Sequence, residues 1–204
     1  ANAVNIDWTD YQPTAPAQPG LSVDENVPLG ELVEYNDWVP FFNAWELTGR
    51  YPDILDDPEK GGTARSLYAD ARDLLGRNLS EGWLRARATV GLFPASADGD
   101  DVVIYRDEAR KEVLQRFHFL RQQKPKAEGQ SNLCLADFVA PVSSGVADHM
   151  GFFAVTAGLG IEENLAEFEA GHDDYSDILL KALGDRLADA LAEYTHRSVR
   201  RELW

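Results

Sequence analysis

Four short apolar runs with the composition of β-strands occupy the middle of this chain, and helical patterns precede, separate and follow them. The runs cover residues 89–94, 101–105, 133–140 and 151–156. Strands and helices do not alternate regularly along the chain, as a doubly wound parallel sheet would require. The order therefore predicts an α+β fold in which helices pack on a twisted, mostly antiparallel sheet.

The local signals for individual elements are a tight turn and several amphipathic helices. Residues 97–100 read Ala-Asp-Gly-Asp and separate the first two runs, which indicates a β-hairpin. Apolar residues at helical spacing predict helices over residues 63–75 and 108–122. The aromatic-dense segment 37–48 is expected to be helical after Pro40, which suits a first helical turn, and residues 162–170 and 175–203 are expected to form a helical tail. Gly76 is expected to end the helix over residues 63–75, since glycine is common just past a helix terminus.

The first 30 residues differ from the rest of the chain. They contain Pro13, Pro16, Pro19 and Pro28 and show little hydrophobic periodicity. Such a segment is typical of an extended arm or an interdomain linker. We therefore expect an arm over residues 1–30 and one folded domain over residues 31–204.

The net charge of −16, from 35 acidic and 19 basic residues, argues against nucleic acid as a partner because the protein would repel phosphate backbones. No apolar run approaches the roughly 18 residues that a membrane span requires, and the N-terminus lacks a secretion pattern. Cys134, the only cysteine, lies in an apolar run. We expect a buried, reduced thiol, no membrane contact and a cytoplasmic location.

Catalytic and metal-binding patterns are weak. Residues 157–160, Ala-Gly-Leu-Gly, lie where a nucleotide-binding glycine turn is found, but Glu163 replaces the third glycine of that fingerprint. A tight turn with an acidic helix start is the better interpretation. The four histidines lack metal-ligand spacing, and Asp173 or Asp174 is expected to cap the following helix. The sequence thus nominates no catalytic residue and no metal ligand.

Asp37 has two open interpretations. It can cap the helix that follows it, as short acidic side chains do. Alternatively, its carboxylate and the surrounding aromatic rings can form a pocket for an ammonium or sulfonium group. The rings in question belong to Tyr35, Trp38, Phe41, Phe42 and Trp45. Composition alone does not decide between a helix cap and a cation site.

Asp189 lies in the last predicted helix. An apolar stripe on that helix is formed by Leu180, Leu183, Leu187, Leu191 and Tyr194. At about 100° per residue, Asp189 falls on the opposite face of the helix. A solvent-exposed polar face is the ordinary interpretation of such a residue.

Several long motifs, in a fixed order, resemble one known family. They are YNDWVPFF at residues 35–42, GLFPAS at 91–96, GDDVVIYRDE at 99–108, LRQQ at 120–123, NLCLADFVAPVSSGVADHMGFFAVTAG at 132–158, HDDY at 172–175 and DRLADALAEYTH at 185–196. From about Glu31 to the last residue, the chain is similar to the C-terminal activation domain of cobalamin-dependent methionine synthase, a methyltransferase.

The resemblance implies a domain that binds S-adenosylmethionine and docks on the cobalamin-binding module of the same protein. In the family, an electron from a flavodoxin-type donor reduces cob(II)alamin, and S-adenosylmethionine then supplies the methyl group that restores methylcobalamin. Asp37 matches an aspartate that binds the amino end of S-adenosylmethionine. Asp189 matches a position that commonly carries glutamate, and its side chain is one methylene shorter.

The chain also departs from the family's pattern. In the family, an Arg-x-x-x-Gly-Tyr motif follows the tryptophan that matches Trp204 and builds much of the S-adenosylmethionine pocket, but residues 1–204 contain no such motif. We therefore expect the N-terminal portion of an activation domain, with an incomplete pocket, weak binding and no activity alone. The alternative is a stand-alone interaction or regulatory protein that kept the scaffold without a complete pocket.

Overall fold

Residues 2–204, which the computed structural model describes, contain five strands and five α-helices. The strands are Gly20–Val27 (β1), Arg85–Asp98 (β2), Asp101–Tyr105 (β3), Val113–His118 (β4) and Asp148–Leu159 (β5). The helices are Leu29–Leu32 (α1), Trp38–Ala44 (α2), Gly61–Glu81 (α3), Ile161–Ala170 (α4) and Asp174–Ser198 (α5). A π-helical turn, Val199–Leu203, continues α5.

The strands form one sheet in which β1, β2, β3 and β4 pair in this order and β5 also pairs with β2. β2 and β3 are antiparallel and place Asp98 opposite Asp101 at the predicted hairpin turn. Gly99 in this turn has a φ of +67°, a backbone conformation that favours glycine. β3 and β4 are also antiparallel, with Val102 opposite Phe117. The predicted α+β class with a mostly antiparallel sheet is confirmed.

The chain divides into two units, of which the first, the helical unit, comprises Val23–Thr89 and Phe153–Ser198. Its core is built mainly by α2, α3 and α5. The buried leucines of the two long helices are Leu67, Leu74 and Leu75 on α3 and Leu179, Leu180, Leu183, Leu187 and Leu191 on α5. Each buried leucine contributes roughly 1.5–3 kcal/mol relative to an exposed one. This unit contains both Asp37 and Asp189.

The second unit, the hairpin unit, comprises residues 2–22, Val90–Phe152 and Val199–Trp204. Its core joins strand residues such as Val102 and Ile104 to residues of the segment after β4. Cys134 belongs to this core as a buried free thiol, as predicted from the sequence.

The predicted helix over residues 108–122 is wrong, because this segment contains β4. Val113 and Phe117 have helical spacing, but both pair with residues of β3. Arg110, just before the strand, has a φ of +51°, which an α-helix does not allow. Its guanidinium donates to the carbonyl oxygen of Ala95 at 2.9 Å, so the segment turns back toward the sheet.

The predicted strand over residues 133–140 is also wrong, since Leu135–Phe138 forms a 3₁₀ helix. The Asp137 carboxylate accepts the backbone N–H of Cys134 at 2.8 Å. Such a local bond from side chain to backbone competes with strand pairing. The apolar residues of this segment therefore enter the core of the hairpin unit from a turn.

α3 continues to Glu81, so Gly76 does not end the helix as predicted. Gly82, with a φ of +69°, is the left-handed residue that ends it. Asn78 is completely buried near this end, and its Oδ1 accepts the N–H of Leu84 at 3.1 Å. This bond attaches the last turn of the helix to the residue that precedes β2, and the sequence contains no local signal for it.

Part of the predicted arm belongs to the sheet. β1 lies within residues 1–30 and pairs with β2. Further upstream, the backbone N–H of Ala17 donates to the carbonyl oxygen of Leu203 at 2.8 Å. The boundary between arm and domain at residue 31 stays a prediction.

Gly160 precedes α4 with a φ of +98°, and a Cβ atom at this position would lie 2.7 Å from the carbonyl oxygen of Trp83. The predicted tight turn with an acidic helix start is thus confirmed at Gly160, whereas Ala157, Gly158 and Leu159 belong to β5. Gly160→Ala is expected to lower the free energy of unfolding by about 1–3 kcal/mol through backbone strain and this clash. Gly158→Ala is the matched control, because a Cβ atom there meets nothing within 4 Å. Urea unfolding tests both variants, and an equal loss in the two contradicts the prediction.

Candidate functional site

Asp37 is the N-cap residue of α2. Its Oδ1 accepts the backbone N–H of Val39 at 2.9 Å, and its extended backbone (φ −83°, ψ 114°) is typical of a cap. The capping interpretation is therefore confirmed. The side chain is exposed, and Oδ2 has no hydrogen-bond partner among residues 2–204. The carboxylate can cap the helix and accept a bond from a ligand at the same time.

The aromatic residues near Asp37 fix α2 in the core of the helical unit. Phe41 and Phe42 are each 1% exposed and Trp38 is 7% exposed, so these rings do not surround the carboxylate at the surface. Trp38 packs edge-to-face on Tyr68 with ring centroids 4.8 Å apart. Three of the five rings predicted around Asp37 are thus buried and hold the helix that carries the carboxylate at its N-terminus, whereas Tyr35 and Trp45 are half-buried. The cation site at Asp37 stays a prediction.

The segment just before Asp37 is attached to α5 by four side chains, which we call the α5 clamp: Glu31, Tyr35, Tyr194 and Arg197. The Tyr194 hydroxyl donates to Glu31 Oε2 at 3.0 Å, and Arg197 Nη1 donates to the Tyr35 hydroxyl. This second bond raises the pKa of Arg197 above its ordinary value. The bonded partners are 163 and 162 residues apart in sequence, so local patterns did not reveal the cluster.

Asp189 lies on the exposed face of α5, opposite the buried leucines, as the sequence predicts. Its side chain is 68% exposed and its Oδ2 is 2.8 Å from Nη1 of Arg186. The Arg186 side chain is only 18% exposed, so the pair is open to solvent on the carboxylate side alone. The Asp189 carboxylate is thus accessible to another partner at the surface.

The two predicted site residues belong to neighbouring elements, since α2 packs against α5. In the part of the chain that the structure describes, no hydrogen bond joins the carboxylates of Asp37 and Asp189, and their partners, Val39 and Arg186, differ. Both are exposed anions on ordered helices. Such an arrangement can bind a cationic or hydroxyl-bearing ligand.

A cavity of about 490 Å³ lies between α4 and α5. Its lining residues are Glu162, Leu165, Ala166, Glu169, Asp174, Asp177 and Lys181, so it includes neither of the predicted site residues. Lys181 is already paired with Asp177 at 2.7 Å. Within residues 2–204, no cluster of three or more His, Cys, Asp or Glu side chains is arranged to hold a metal ion. No helix in this range is long and apolar enough to cross a membrane.

Comparisons with known proteins agree with this architecture. The family model described as vitamin B12 dependent methionine synthase, activation domain, matches residues 28–204. A crystal structure of the MetH reactivation domain bound to AdoHcy is 48% identical in sequence and has a TM-score of 0.95. The match covers 100% of this chain, which spans 62% of the length of the solved chain. The chain belongs to the vitamin B12 dependent methionine synthase activation domain family.

Proposed function

We propose that this domain binds S-adenosylmethionine and holds it for methyl transfer to cobalamin, as part of a methyltransferase. The observation that carries the proposal is the 48% identity, over the whole chain, to a reactivation domain bound to AdoHcy. AdoHcy is the molecule that remains when S-adenosylmethionine has given up its methyl group. A fold that holds the product in a relative is suited to hold the methyl donor here.

The residues of this chain fit such a ligand at its cationic end. Asp37 offers Oδ2 to the ammonium group while Oδ1 keeps its bond to Val39. Asp189 offers a second carboxylate on α5 once Arg186 moves away. S-adenosylmethionine, when bound, supplies an activated methyl group for reduced cobalamin. The task of the protein is to orient the ligand, a proximity effect that needs no acid or base from this chain.

The partners of this cycle are the cobalamin-binding module of the same protein and a flavodoxin-type electron donor. The net charge of −16 disfavours nucleic acid and is compatible with a cationic ligand. A cytoplasmic location suits this chemistry and the buried free thiol of Cys134.

Calorimetric titration with S-adenosylmethionine tests the proposal. Two proteins are compared: the 204-residue chain, and a chimaera in which this chain replaces the matching part of the solved relative. We expect the chimaera to bind and the 204-residue chain to bind at least about tenfold more weakly, since the Arg-x-x-x-Gly-Tyr motif is not among its residues.

The solved relative itself is the positive control, and thermal unfolding establishes that the chimaera is folded. Tight binding by the 204-residue chain contradicts the incomplete pocket. A folded chimaera that does not bind contradicts the proposed function and favours the stand-alone interaction protein.

A further inference from the structure

We infer that Tyr35, Tyr194 and Arg197 are positioning residues that hold Asp37 in a fixed place relative to α5, the helix that carries Asp189. The inference rests on the proposed function, because it concerns how the domain orders its two ligand-binding carboxylates. It assigns a role to the polar contacts of the α5 clamp, whose Tyr35 and Tyr194 rings also pack against the core of the helical unit.

The contacts of the clamp are directional. Tyr35 and Tyr194 pack edge-to-face, with ring centroids 5.8 Å apart and planes at 88°. The guanidinium carbon of Arg197 lies 5.7 Å from the centroid of the Tyr35 ring, and its Nη1 donates to the hydroxyl of the same residue. Tyr35 is thus held both by its ring and by its hydroxyl, which fixes its position and its orientation.

The backbone transmits this constraint to Asp37, only two residues further along the chain. The N–H of Asn36 donates to the carbonyl oxygen of Val33 at 3.3 Å and closes the turn between them. The side-chain oxygen of Asn36 is buried and has no partner among the described residues. On the other side, the cap bond to Val39 holds Asp37. A shift of Tyr35 therefore moves the carboxylate of Asp37.

α5 carries Asp189 and, through the clamp, also holds the segment before Asp37. Tyr194 and Arg197 follow Asp189 by five and eight residues, which is about 7.5 and 12 Å along a helix axis. Arg197 is about 80° around the helix from Asp189. Because the helix is continuous from Asp174 to Ser198, the clamp sets a fixed offset between Asp37 and Asp189. A ligand that contacts both carboxylates then meets a prearranged pair.

The hydrogen bonds of the clamp lie too near the surface to add much stability, whereas its two tyrosine rings do contribute to packing. Glu31 and Arg197 are exposed, and Tyr35 and Tyr194 are half-buried. Exposed polar contacts add little to folding. Their effect is therefore expected in the geometry of the segment before α2 rather than in the unfolding temperature.

Hydrogen exchange and ligand affinity together test the inference. Tyr35→Phe keeps the ring and removes the hydroxyl that Arg197 bonds. In the 204-residue chain we expect the amide of Val39, which Asp37 caps, to exchange about three- to tenfold faster. In the chimaera we expect S-adenosylmethionine to bind about three- to tenfold more weakly. Tyr194→Phe is expected to have the same two effects.

Tyr175→Phe is the matched control, because Tyr175 on α5 also donates its hydroxyl to a carboxylate, Asp70, at 2.8 Å. We expect it to change neither readout. Arg197→Met is expected to reproduce Tyr35→Phe, while Arg197→Lys, which keeps a donor, restores most of the affinity. In an Asp37→Asn background, Tyr35→Phe is expected to have no further effect on affinity.

The possible results test the positioning role of the clamp and the proposed function separately. Unchanged Val39 exchange and unchanged affinity in Tyr35→Phe overturn the positioning role. An equal loss of affinity in Tyr175→Phe also overturns it, because the effect is then not specific to the clamp. If the chimaera binds no S-adenosylmethionine while Val39 still responds to Tyr35→Phe, the proposed function fails and the positioning of Asp37 stands.

Discussion

Replacing Asp37 with asparagine is expected to weaken S-adenosylmethionine binding by at least tenfold without lowering the stability of the domain. Asparagine is as good an N-cap residue as aspartate, so its side-chain oxygen can keep the bond to the N–H of Val39. The substitution removes only the negative charge that we propose to contact the ligand. Hydrogen bonds to charged groups contribute about 1.5–3 kcal/mol, which corresponds to roughly a 10- to 150-fold change in affinity.

Asp37→Ala separates the two roles of this residue. It removes the charge and the cap together, and loss of an N-cap costs about 1 kcal/mol of stability. We therefore expect Asp37→Ala to bind as weakly as Asp37→Asn and also to unfold at a lower temperature. Calorimetry on the chimaera gives the affinities, and thermal unfolding gives the stabilities.

Asp189→Asn is the natural comparison, since Asp189 already has Arg186 as a partner and is 68% exposed. Its effect on affinity is expected to be smaller than that of Asp37→Asn. If Asp37→Asn binds S-adenosylmethionine as tightly as the wild type, Asp37 is a helix cap and nothing more. The site assignment taken from the family resemblance then fails.

The elements that the sequence predicts well are those specified by neighbours along the chain. The leucines of α5 repeat at helical spacing, and the helix forms where they indicate. The Ala-Asp-Gly-Asp turn produces the hairpin of β2 and β3, because glycine allows the positive φ at Gly99. Both signals are complete within a few residues, so no distant contact is needed to interpret them.

The elements that the sequence mispredicts depend on contacts with distant residues. The sequence of β4 predicts a helix because its apolar residues suit either a helix or a strand. Pairing with β3 decides in favour of the strand. Gly76 predicts a helix end, but α3 continues past it, and the buried Asn78 accepts the N–H of Leu84 in the segment that follows the helix. In each case a tertiary contact overrides a local preference.

The features of the candidate site also differ in whether nearby residues are enough to predict them. The capping role of Asp37 and the exposed face of Asp189 follow from residues close by in sequence. The α5 clamp does not, since it joins residues such as Glu31 and Tyr194 that are far apart in the chain. Family resemblance could name the carboxylates but not the contacts that orient them.

Arg121→Met is expected to lower the free energy of unfolding by about 3–5 kcal/mol, the largest effect on stability that we predict. Arg121 forms a bidentate pair with Asp137 in the hairpin unit, with N–O distances of 2.6 and 2.7 Å. Both side chains are only 9% exposed. Removing the guanidinium leaves the carboxylate of Asp137 buried without its counter-charge, which is more costly than losing the pair as a whole.

The double variant Arg121→Met/Asp137→Asn tests this cause. It removes both charges and leaves an oxygen that can still accept the N–H of Cys134. We expect the double variant to recover much of the stability that Arg121→Met loses. Arg116→Met is the matched control: Arg116 bridges Asp98 and Asp101, but its side chain is 39% exposed, so the expected loss is below about 1 kcal/mol.

The pH dependence of unfolding gives an independent check. Arg121 lowers the pKa of Asp137 below its ordinary value. A carboxyl group whose pKa is lower in the folded protein than in the unfolded chain stabilises the fold. This stabilisation is complete at pH values above the pKa of the unfolded state, roughly 4, and is lost as the pH falls through the pKa of the folded state. The gap in stability between wild type and Arg121→Met should therefore be widest near neutral pH and should narrow under acid conditions. A gap that stays constant from neutral pH to pH about 2 would show that the loss comes from packing, and the buried-charge explanation would be wrong.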